Sequence, residues 1–320
     1  MEIYKVGSAG ENVRKIQQAL INAGLYQGAA DGVFGKQTEI AVGNFQSKSG
    51  LPADGIVGKM TWEKLFPSDT SSISAPSGDL PSRCLALTGS FETGQLAPGC
   101  FAAIAGNFDG QGISFGALQW NLGQGTLQPL LMEMYNNHHD IISKIFGDDL
   151  QVMKNAISGG KQSSLSFANS IQDASKKSVN SVWKSKFNSL GLTKEFQTIE
   201  VKGASAYYER AVKLCSDYGL RTNRGRALMF DICVQNGSIS DNIKSLILSD
   251  FKMFQKDLSP EELEVSKMRS IANRRAEAAN PKFVEDVRKR KLCIAEGKGV
   301  VHGISYDLAA QFKLNLENTG

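Results

Sequence analysis

The chain has 320 residues, of which 41% are hydrophobic and 21% charged, and its formal net charge is +4. This length accommodates a small module beside a larger catalytic domain, and no apolar run of about 18 residues is present that could span a membrane. The basic clusters at 269–275 and 287–299 lack the aromatic interleaving of nucleic-acid-binding proteins. We therefore expect neither a nucleic-acid partner nor stable membrane insertion.

Metal and cofactor chemistry has little support in the sequence. Histidines occur only at 138, 139 and 302, and the adjacent pair cannot face one ion from a regular helix, so we expect no metal and no cofactor. The five cysteines show no C-x-x-C spacing, which favours reduced thiols. Cys84 or Cys100 with His302 could form a cysteine-peptidase site, but no family signature surrounds them.

An eight-residue repeat marks the N-terminal part of the chain. Residues 31–38 read DGVFGKQT and residues 54–61 read DGIVGKMT. Each copy predicts a turn in which Gly has a positive φ, followed by the start of a helix. Residues 12–20 and 40–46 carry apolar side chains at helical spacing. The repeat therefore predicts three short helices joined by two Asp-Gly loops.

Residues 3–66 resemble the peptidoglycan-binding domain 1 family. The motifs that carry the resemblance are, in chain order, G-x-x-G-x-x-V-x-x-[IL]-Q-x-x-L, D-G-x-F-G, F-Q and D-G-I-V-G-x-x-T-W. The resemblance implies a domain that binds bacterial peptidoglycan. Because most motif positions of so small a domain must form its core, the best candidates for wall contact are Asp31, Thr38 and Asp54.

A segment without apolar periodicity follows this module. Residues 67–79 read PSDTSSISAPSGD, and this richness in Ser, Pro and Gly is typical of a flexible linker. We predict a binding domain over 1–66, a linker over 67–81 and a catalytic domain over 82–320. A tethered catalytic domain can search near its anchored substrate at a raised effective concentration.

Two carboxylates lie near the start of the predicted catalytic domain. Glu92 and Asp109 stand seventeen residues apart around a glycine-rich turn. Hydrolysis of a glycosidic bond needs a protonated carboxyl as general acid and a carboxylate that activates water. Glu92 follows an apolar run, so partial burial would raise its pKa, whereas the open turn around Asp109 would keep that carboxylate charged. Taken singly, each could equally be a surface or turn residue.

From Glu92 onward the chain resembles the chitosanase-like glycoside hydrolases, family 46, of the lysozyme superfamily. In that family a catalytic Glu on a helix is followed by an Asp in a D-G-x-G-x-[TS] turn, and here Asp109 begins DGQGIS. The resemblance implies that Glu92 is the general acid, Asp109 the general base and Ser114 the hydroxyl that holds the attacking water. It also implies inversion, which requires the two carboxyls to stand roughly 6.5–9.5 Å apart.

Three further residues of this stretch are candidate substrate contacts: Gln111, Gln119 and Trp120. An indole ring can stack on a sugar, although it is equally suited to packing in a core.

A second block resembles the same family. Residues 217–221 read DYGLR, and residues 227–237 read ALMFDICVQNG, in which Asp231 stands within an apolar helix. The resemblance implies that Asp231 pairs with an Arg of a later helix and supports the acid. A buried carboxylate needs such a partner on physical grounds as well. The sequence points to Arg274 as this partner, with Arg275 as the alternative.

The rest of the predicted catalytic domain has the residue pattern of α-helices. Apolar residues recur at helical spacing over 127–150, 206–218, 243–256 and 260–275, and Ser-Pro-Glu-Glu at 259–262 is a typical helix start. Only 113–120 reads as strand. The predicted fold class is mainly α, with a three-helix wall-binding domain and a two-lobed, mostly helical lysozyme-superfamily domain that has a short β segment at its cleft.

A wall-binding module, a glycosidase and no signal segment together resemble a bacteriophage endolysin. We expect a monomer, made in the host cytoplasm and released by a holin, that cuts β-1,4 bonds of peptidoglycan as a muramidase. Two alternatives remain open. One is a chitosanase, whose cationic polymer would need an acidic cleft, and the other is a non-catalytic wall-binding virion protein.

Overall fold

The computed structural model describes residues 3–66, 78–107, 109–173 and 178–319. The chain divides into two compact units, Met1–Ser74 and Ala75–Gly320. Each unit has a hydrophobic core of its own, which is the physical requirement for an independent domain.

Within residues 3–66, the N-terminal unit contains the three predicted helices: α1 (Glu11–Asn22), α2 (Lys36–Lys48) and α3 (Lys59–Leu65). The two Asp-Gly loops precede α2 and α3. Gly32 and Gly55 have φ values of 79° and 71°, as the repeat predicts, in a region where only glycine avoids a steric penalty. Antiparallel bridges join Tyr4 to Val57 and Ala9 to Val33.

A buried glutamine organises the first loop. The Nε2 of Gln17, in α1, donates to Oδ1 of Asp31 at 2.8 Å and to the carbonyl of Val33 at 3.0 Å. Its Oε1 accepts from the N–H of Gly32 at 2.8 Å. The hydroxyl oxygen of Thr38 lies 3.3 Å from the same Nε2.

The second loop has the same network. Gln46 of α2 donates to Oδ1 of Asp54 at 2.8 Å and to the hydroxyl of Thr61 at 3.0 Å, and it accepts from the N–H of Gly55 at 2.9 Å. It also donates to the carbonyl of Ile56 at 2.9 Å. Each buried amide thus has partners for both its donors and its acceptor. The sequence repeat encodes a repeated hydrogen-bond network.

The C-terminal unit is mainly helical, which confirms the predicted fold class. Its α-helices within the described residues are α4 (Leu80–Thr93), α5 (Gln128–Asn137), α6 (His139–Phe146), α7 (Leu150–Ser158), α8 (Gly160–Ser170), α9 (Ser181–Gly191), α10 (Lys194–Gly203), α11 (Ser205–Tyr218), α12 (Asn223–Asn236), α13 (Asp241–Lys252), α14 (Pro260–Glu277), α15 (Val284–Glu296) and α16 (Leu308–Phe312). The predicted helix over 127–150 is divided at His138, whereas α14 begins with the full capping box of Ser259 and Glu262.

The last residues of the linker predicted over 67–81 are helical instead. Asp79 is the N-cap of α4, and its side chain accepts a hydrogen bond from the N–H of Ser82 at 3.1 Å. This cap fixes the first turn of the helix, so residues 80–81 belong to α4. Residues 67–77 lie outside the described residues.

Two small antiparallel sheets occur within the described part of the C-terminal unit. The first has the order β1 (Ile104–Ala105), β2 (Ser114–Phe115) and β3 (Trp120–Asn121), with Ser114 opposite Ala105 on one side and Asn121 on the other. The second pairs β4 (Lys298–Val301) with β5 (Ile304–Asp307). Sequence reasoning predicted strand only over 113–120, so it missed β1, β4 and β5.

The helices α4 and α12 form the centre of this unit. Residues 84–91 of α4 are all buried, and α12 is buried from Asn223 to Cys233 except at Arg226. A helix that is covered on nearly every side must satisfy its polar groups inside the protein. The partners of those polar groups define the candidate active site.

Candidate active site

Glu92 lies at the carboxyl end of α4. The helix is buried over the two preceding turns and ends at Gly94, whose φ of 66° closes it in the left-handed conformation. The Glu92 side chain is 31% exposed. Glu92 as a whole is exposed, so the carboxylate lies where a buried helix reaches the surface, and the burial that the sequence predicts is slight.

A guanidinium holds the Glu92 carboxylate. Nη2 of Arg290, in α15, lies 2.8 Å from Oε1 of Glu92 and 2.6 Å from Oδ1 of Asp231. Its Nε also donates to Oδ1 of Asp231 at 3.0 Å. Because the Arg290 side chain is only 3% exposed, this single cation joins a solvent-accessible carboxylate to a fully buried one.

Asp231 is the buried end of this bridge. Besides Arg290, its Oδ1 accepts from the hydroxyl of Thr88, in α4, at 3.1 Å, and its Oδ2 accepts from the ammonium of Lys291. Burial opposes ionisation of Asp231, but the charges of Arg290 and Lys291 outweigh it and lower its pKa. Asp231 therefore remains a carboxylate in the core.

The prediction that Arg274 pairs with Asp231 is wrong. Arg274 instead forms a two-point ion pair with Asp250 of α13, with both N···O distances at 2.8 Å, and also contacts Glu277. Arg274 lies near the exposed end of α14, where its neighbours are other surface charges. The buried partner comes from α15, one helix later.

Sequence reasoning missed Arg290 and Lys291 because they lie in the basic run VRKRK, which resembles a solvated helix face. Their spacing carried the missing signal. Val287, Arg290, Lys291 and Ile294 follow the i, i+3, i+4, i+7 pattern of one helix face, and all four are buried.

Asp109 lies in the loop between β1 and β2 and is exposed. Its Oδ1 accepts from the N–H of Gln111 at 3.0 Å, while Gly110 and Gly112 have φ values of 78° and 90°. The glycines therefore produce the open turn that the sequence predicts. Among the described residues Oδ2 has no hydrogen-bond partner, so it is available to a water molecule or a ligand.

Ser114 occupies the middle strand of the first sheet. Its Oγ accepts from Nδ2 of Asn121, the residue opposite it on β3, at 3.0 Å. The amide of Asn121 also lies 3.4 Å from the carbonyl of Gly112. One lone pair of the Ser114 hydroxyl is used in this way, and the hydroxyl retains its hydrogen for an acceptor that the described residues do not supply.

A glycine contact joins the helix of Glu92 to the sheet of Ser114. A Cβ placed on Gly89, three residues before Glu92, would lie 2.7 Å from the Cβ of Ala117. Only glycine at this position permits α4 to approach the β2–β3 turn so closely. The two elements that carry the candidate acid and the candidate water-holding hydroxyl are thus packed directly against each other.

Glu200 of α10 lies beneath the same turn, and sequence reasoning missed it as well. It is fully buried, and its Oε2 accepts from the N–H of Ala117 at 2.8 Å. Its Oε1 has no partner among the described residues. Burial raises the pKa of Glu200 well above its ordinary value, and the single N–H donor only partly opposes this shift.

The three candidate substrate contacts differ in accessibility. Gln111 is exposed beside Asp109, so its role stays a prediction. The Nε2 of Gln119 donates to the carbonyls of Ala103 and Gly116 at 3.2 and 2.9 Å, which shapes the β2–β3 turn. Trp120 is 9% exposed and belongs to the core, so the predicted stacking of a sugar on this ring is wrong.

A surface cavity of about 500 Å³ lies next to the Asp109 turn. A hydrogen bond joins the cavity wall to the Asp109 turn: the N–H of Gly123, in the wall, donates to the carbonyl of Gln111 at 2.9 Å. The wall also contains Leu122, Gln128, Met132 and Lys161. Its described lining residues include no carboxylate, and their one charged side chain is Lys161.

The residues of the N-terminal unit that were predicted to contact the bacterial cell wall also differ in solvent exposure. Thr38 is 1% exposed and its hydroxyl belongs to the Gln17 network, so a direct contact with the wall is wrong for this residue. Asp31 and Asp54 are exposed, although one carboxylate oxygen of each is used inside its loop. For these two residues wall contact stays a prediction.

The cysteine-peptidase alternative lacks an activated thiol. All five cysteines are free and buried, and burial raises the pKa of the thiols of Cys84 and Cys100, the latter to about 12. His302 pairs instead with Asp286 at 2.6 Å.

Among the described residues no group of three or more His, Cys, Asp or Glu side chains could hold a metal ion. None of the described helices is long and apolar enough to cross a bilayer.

Residues 9–65 match the family model described as "Putative peptidoglycan binding domain". The N-terminal unit belongs to this domain family. The chain is also similar to a spore cortex-lytic enzyme of Bacillus cereus, with 44% identity over 64 residues, which are 20% of this chain and 25% of the relative. A "Probable N-acetylmuramoyl-L-alanine amidase" of Bacillus licheniformis is 40% identical over 72 residues, 22% of this chain and 20% of that protein. The chain thus spans between a fifth and a quarter of the length of these relatives.

Among solved structures, the chain is similar to a native chitosanase from Bacillus subtilis. The two share 18% sequence identity over 72% of this chain and 97% of the other, with a TM-score of 0.42.

Proposed function

We propose that this protein is a cell-wall glycoside hydrolase that cuts the β-1,4 glycan strand of peptidoglycan in the manner of a muramidase. The observation that carries the proposal is the Arg290 bridge, which joins the solvent-accessible Glu92 to the buried Asp231. A buried ion-pair chain that ends at one solvent-accessible carboxylate is costly for stability and is suited to holding that carboxylate for chemistry. The peptidoglycan-binding domain supports the choice of substrate.

In the proposed reaction Glu92 donates a proton to the glycosidic oxygen as the bond to the leaving sugar breaks. Arg290 then lies 2.8 Å from the carboxylate that results and stabilises its negative charge. This interaction strengthens as the proton leaves, so it favours the transition state over the bound substrate.

Asp109 is the proposed general base. Its Oδ2 takes a proton from the water that attacks the anomeric carbon, while Oδ1 stays anchored to the N–H of Gln111. The Ser114 hydroxyl, held by Asn121, donates its hydrogen to the same water and orients it. The result is a single displacement with inversion at the anomeric carbon.

The charge of the neighbouring cavity favours peptidoglycan over chitosan. Chitosan is a polycation, and a surface that binds it needs carboxylates, whereas the described wall of this cavity, which lies beside Asp109 but does not include Asp109 or Glu92, has Lys161 as its one charged side chain. Peptidoglycan is N-acetylated and carries acidic stem peptides, which suit an apolar wall with a cation at its rim.

Digestion of purified peptidoglycan tests the proposal. Wild type, Glu92→Gln and Asp109→Asn are compared, and the released ends are reduced with borohydride and identified by mass spectrometry. Reduced muramitol ends are expected from wild type, with a rate about 10²- to 10⁴-fold lower in both variants. Glu209→Gln and Asp257→Asn, which remove exposed carboxylates elsewhere on the same unit, are the matched controls.

Two kinds of result would contradict the proposal of a peptidoglycan glycosidase. Full activity in Glu92→Gln, or new amino termini in place of reducing ends, would refute the glycosidase. Digestion of chitosan but not of peptidoglycan would establish a chitosanase instead.

We further propose that the biological role of this hydrolase is that of a bacteriophage endolysin. It is supported by the combination of a wall-binding domain with a glycosidase-type site. Lysis of producing bacteria only when a holin is co-expressed would support this role.

A further inference from the structure

The buried charge cluster behind Glu92 contains a second cation beside Arg290. The ammonium of Lys291 contacts Oδ2 of Asp231 and donates to Oε1 of Gln235 at 2.7 Å. Lys291 is 0% exposed, so its charge lies wholly inside the protein. A buried ammonium is expensive, and its presence calls for a role.

We propose that Lys291 is a titratable positioning residue, whose ammonium neutralises Asp231 and thereby leaves Arg290 free to hold Glu92 in place. This inference rests on the proposed function of Glu92 as the general acid. Lys291 itself does not touch the substrate.

The two carboxylate oxygens of Asp231 are divided between the two cations. Asp231 uses Oδ1 mainly for Arg290 and Oδ2 mainly for Lys291, so two cations serve one carboxylate. The Nη2 of Arg290 can then contact Glu92 at the same time, at 2.8 Å. With Glu92 ionised the four groups carry no net charge.

Loss of the Lys291 charge changes this balance. One guanidinium would then serve two carboxylates, of which Asp231 is 0% and Glu92 31% exposed. Water can replace the cation at Glu92 but not at Asp231, because an uncompensated charge is far more costly in the core. Arg290 would therefore stay with Asp231, and Glu92 would lose its anchor.

Lys291 is suited to act as such a switch near pH 8. Burial lowers its pKa to about 8, although the charge of Asp231 opposes the shift. Within the described residues, the titratable or charged groups around Lys291 are Asp231 and Cys233 of α12, Arg210 of α11, Glu92 of α4, Arg290 and Cys293 of α15 and Tyr306 of β5. On α14, Arg269 is engaged with Glu296, and Glu264 with the backbone N–H groups of residues 221 and 222.

Five of these neighbours have pKa values that burial or paired charge moves away from this range. Burial raises the pKa of Cys233 to about 11 and that of Cys293 to about 12, and it raises the pKa of Tyr306 as well. Asp231 stays ionised and Arg290 stays charged far above pH 8. A step in activity near pH 8 would therefore report Lys291.

The test compares wild type, Lys291→Met and Lys291→Arg on purified peptidoglycan between pH 6 and 9.5. Met has a similar length without the charge, and Arg keeps the charge at every pH used. We expect kcat of Lys291→Met to be about ten- to a hundredfold below wild type at pH 6, with KM little changed because the side chain is remote from the surface. Wild type should lose activity as the pH rises through about 8, and Lys291→Arg should not.

Lys289→Met is the matched control, since Lys289 is the exposed neighbour on the same helix. Wild-type kcat in Lys291→Met at pH 6 would overturn the proposal, and so would an alkaline step that persists in Lys291→Arg. If Lys291→Met does not fold, the comparison of wild type with Lys291→Arg across pH 8 decides.

A second measurement is independent of the substrate. Because folding lowers the pKa of Lys291, the unfolded chain binds more protons between pH 8 and its ordinary value of 10.5. The stability of wild type relative to Lys291→Met should therefore rise with pH over this range. This change together with full activity of Glu92→Gln would refute the glycosidase while leaving the titration of Lys291 established. A constant difference would refute the titration itself.

Discussion

Replacement of Asp231 by Asn tests whether the buried charge cluster is what holds α4, α12 and α15 together. Asn has the same shape but no charge, so Arg290 and Lys291 would face each other in the core without their shared counter-ion. Thr88 would also lose its charged acceptor. Breaking a buried pair by removing one partner costs about 3–5 kcal/mol, and we expect a loss of this size in the free energy of unfolding.

The pH dependence of the free energy of unfolding gives a second estimate of what the Asp231 charge contributes. The pKa of Asp231 is about 2 in the folded protein against an ordinary value of 3.8, a difference equivalent to about 2 kcal/mol. Since folding lowers this pKa, the corresponding stability is present above pH 3.8 and is lost as the pH falls toward 2. Of this, about 1 kcal/mol should already be lost at pH 3.

Urea unfolding of wild type and Asp231→Asn at pH 6 and pH 3 measures both effects. Asp250→Asn is the matched control, because Asp250 pairs with Arg274 at a site where the two side chains are 27% and 32% exposed. Such partly exposed pairs contribute at most about 1 kcal/mol. A loss below about 1 kcal/mol in Asp231→Asn, or a gap between it and wild type that does not shrink at pH 3, would refute the reasoning.

Three further predictions concern other contacts. Gly89→Ala should lower the free energy of unfolding by about 1–3 kcal/mol, because its Cβ would overlap Ala117, and peptidoglycan digestion should fall with it. Glu200→Gln should be more stable than wild type by a margin that grows as the pH rises above 4.5, since folding raises the pKa of this carboxyl and the amide has no charge to bury; a margin independent of pH in urea unfolding would contradict this. Gln46→Leu should weaken sedimentation of the full chain with insoluble cell walls, because the Asp54 loop loses its organising amide; unchanged sedimentation would show that the loop forms without it.

The N-terminal unit was predictable because its sequence signals are local. Gly32 and Gly55 determine the two turns, and the apolar spacing of α1 and α2 determines which faces are buried. The function of Gln17 and Gln46 was not predicted. Their bonds cross 14 and 8 residues to the loops, although Gln17 shares the buried face of Val13, Ile16 and Leu20, and this spacing indicates its burial.

The missed β4–β5 hairpin shows a different limit. Its turn is His302-Gly303, with φ values of 50° and 80°, which is the conformation that Asn-Gly adopts most readily. With His in the first position the turn signal is weaker, although the apolar and β-branched residues on both sides favour strands. The strands β1, β2 and β3 are only two residues long, too short for a period of two to be visible.

The candidate site was predictable where chemistry and local turn residues coincide, and not where partners come from distant helices. The open turn of Asp109 was predicted from its glycines, and Ser114 was found through the resemblance of DGQGIS to the family motif. For Asp231 the sequence required a cation, but it offered basic residues on both α14 and α15. Face geometry decides between them: Arg290 and Lys291 lie on the buried stripe of α15 with Val287 and Ile294, whereas Arg274 faces the surface ion pair with Asp250. A charged residue at an apolar helix position is thus better evidence for a buried ionic cluster than membership of a basic run, and Glu200, spaced with Phe196 and Ile199 on α10, obeys the same rule.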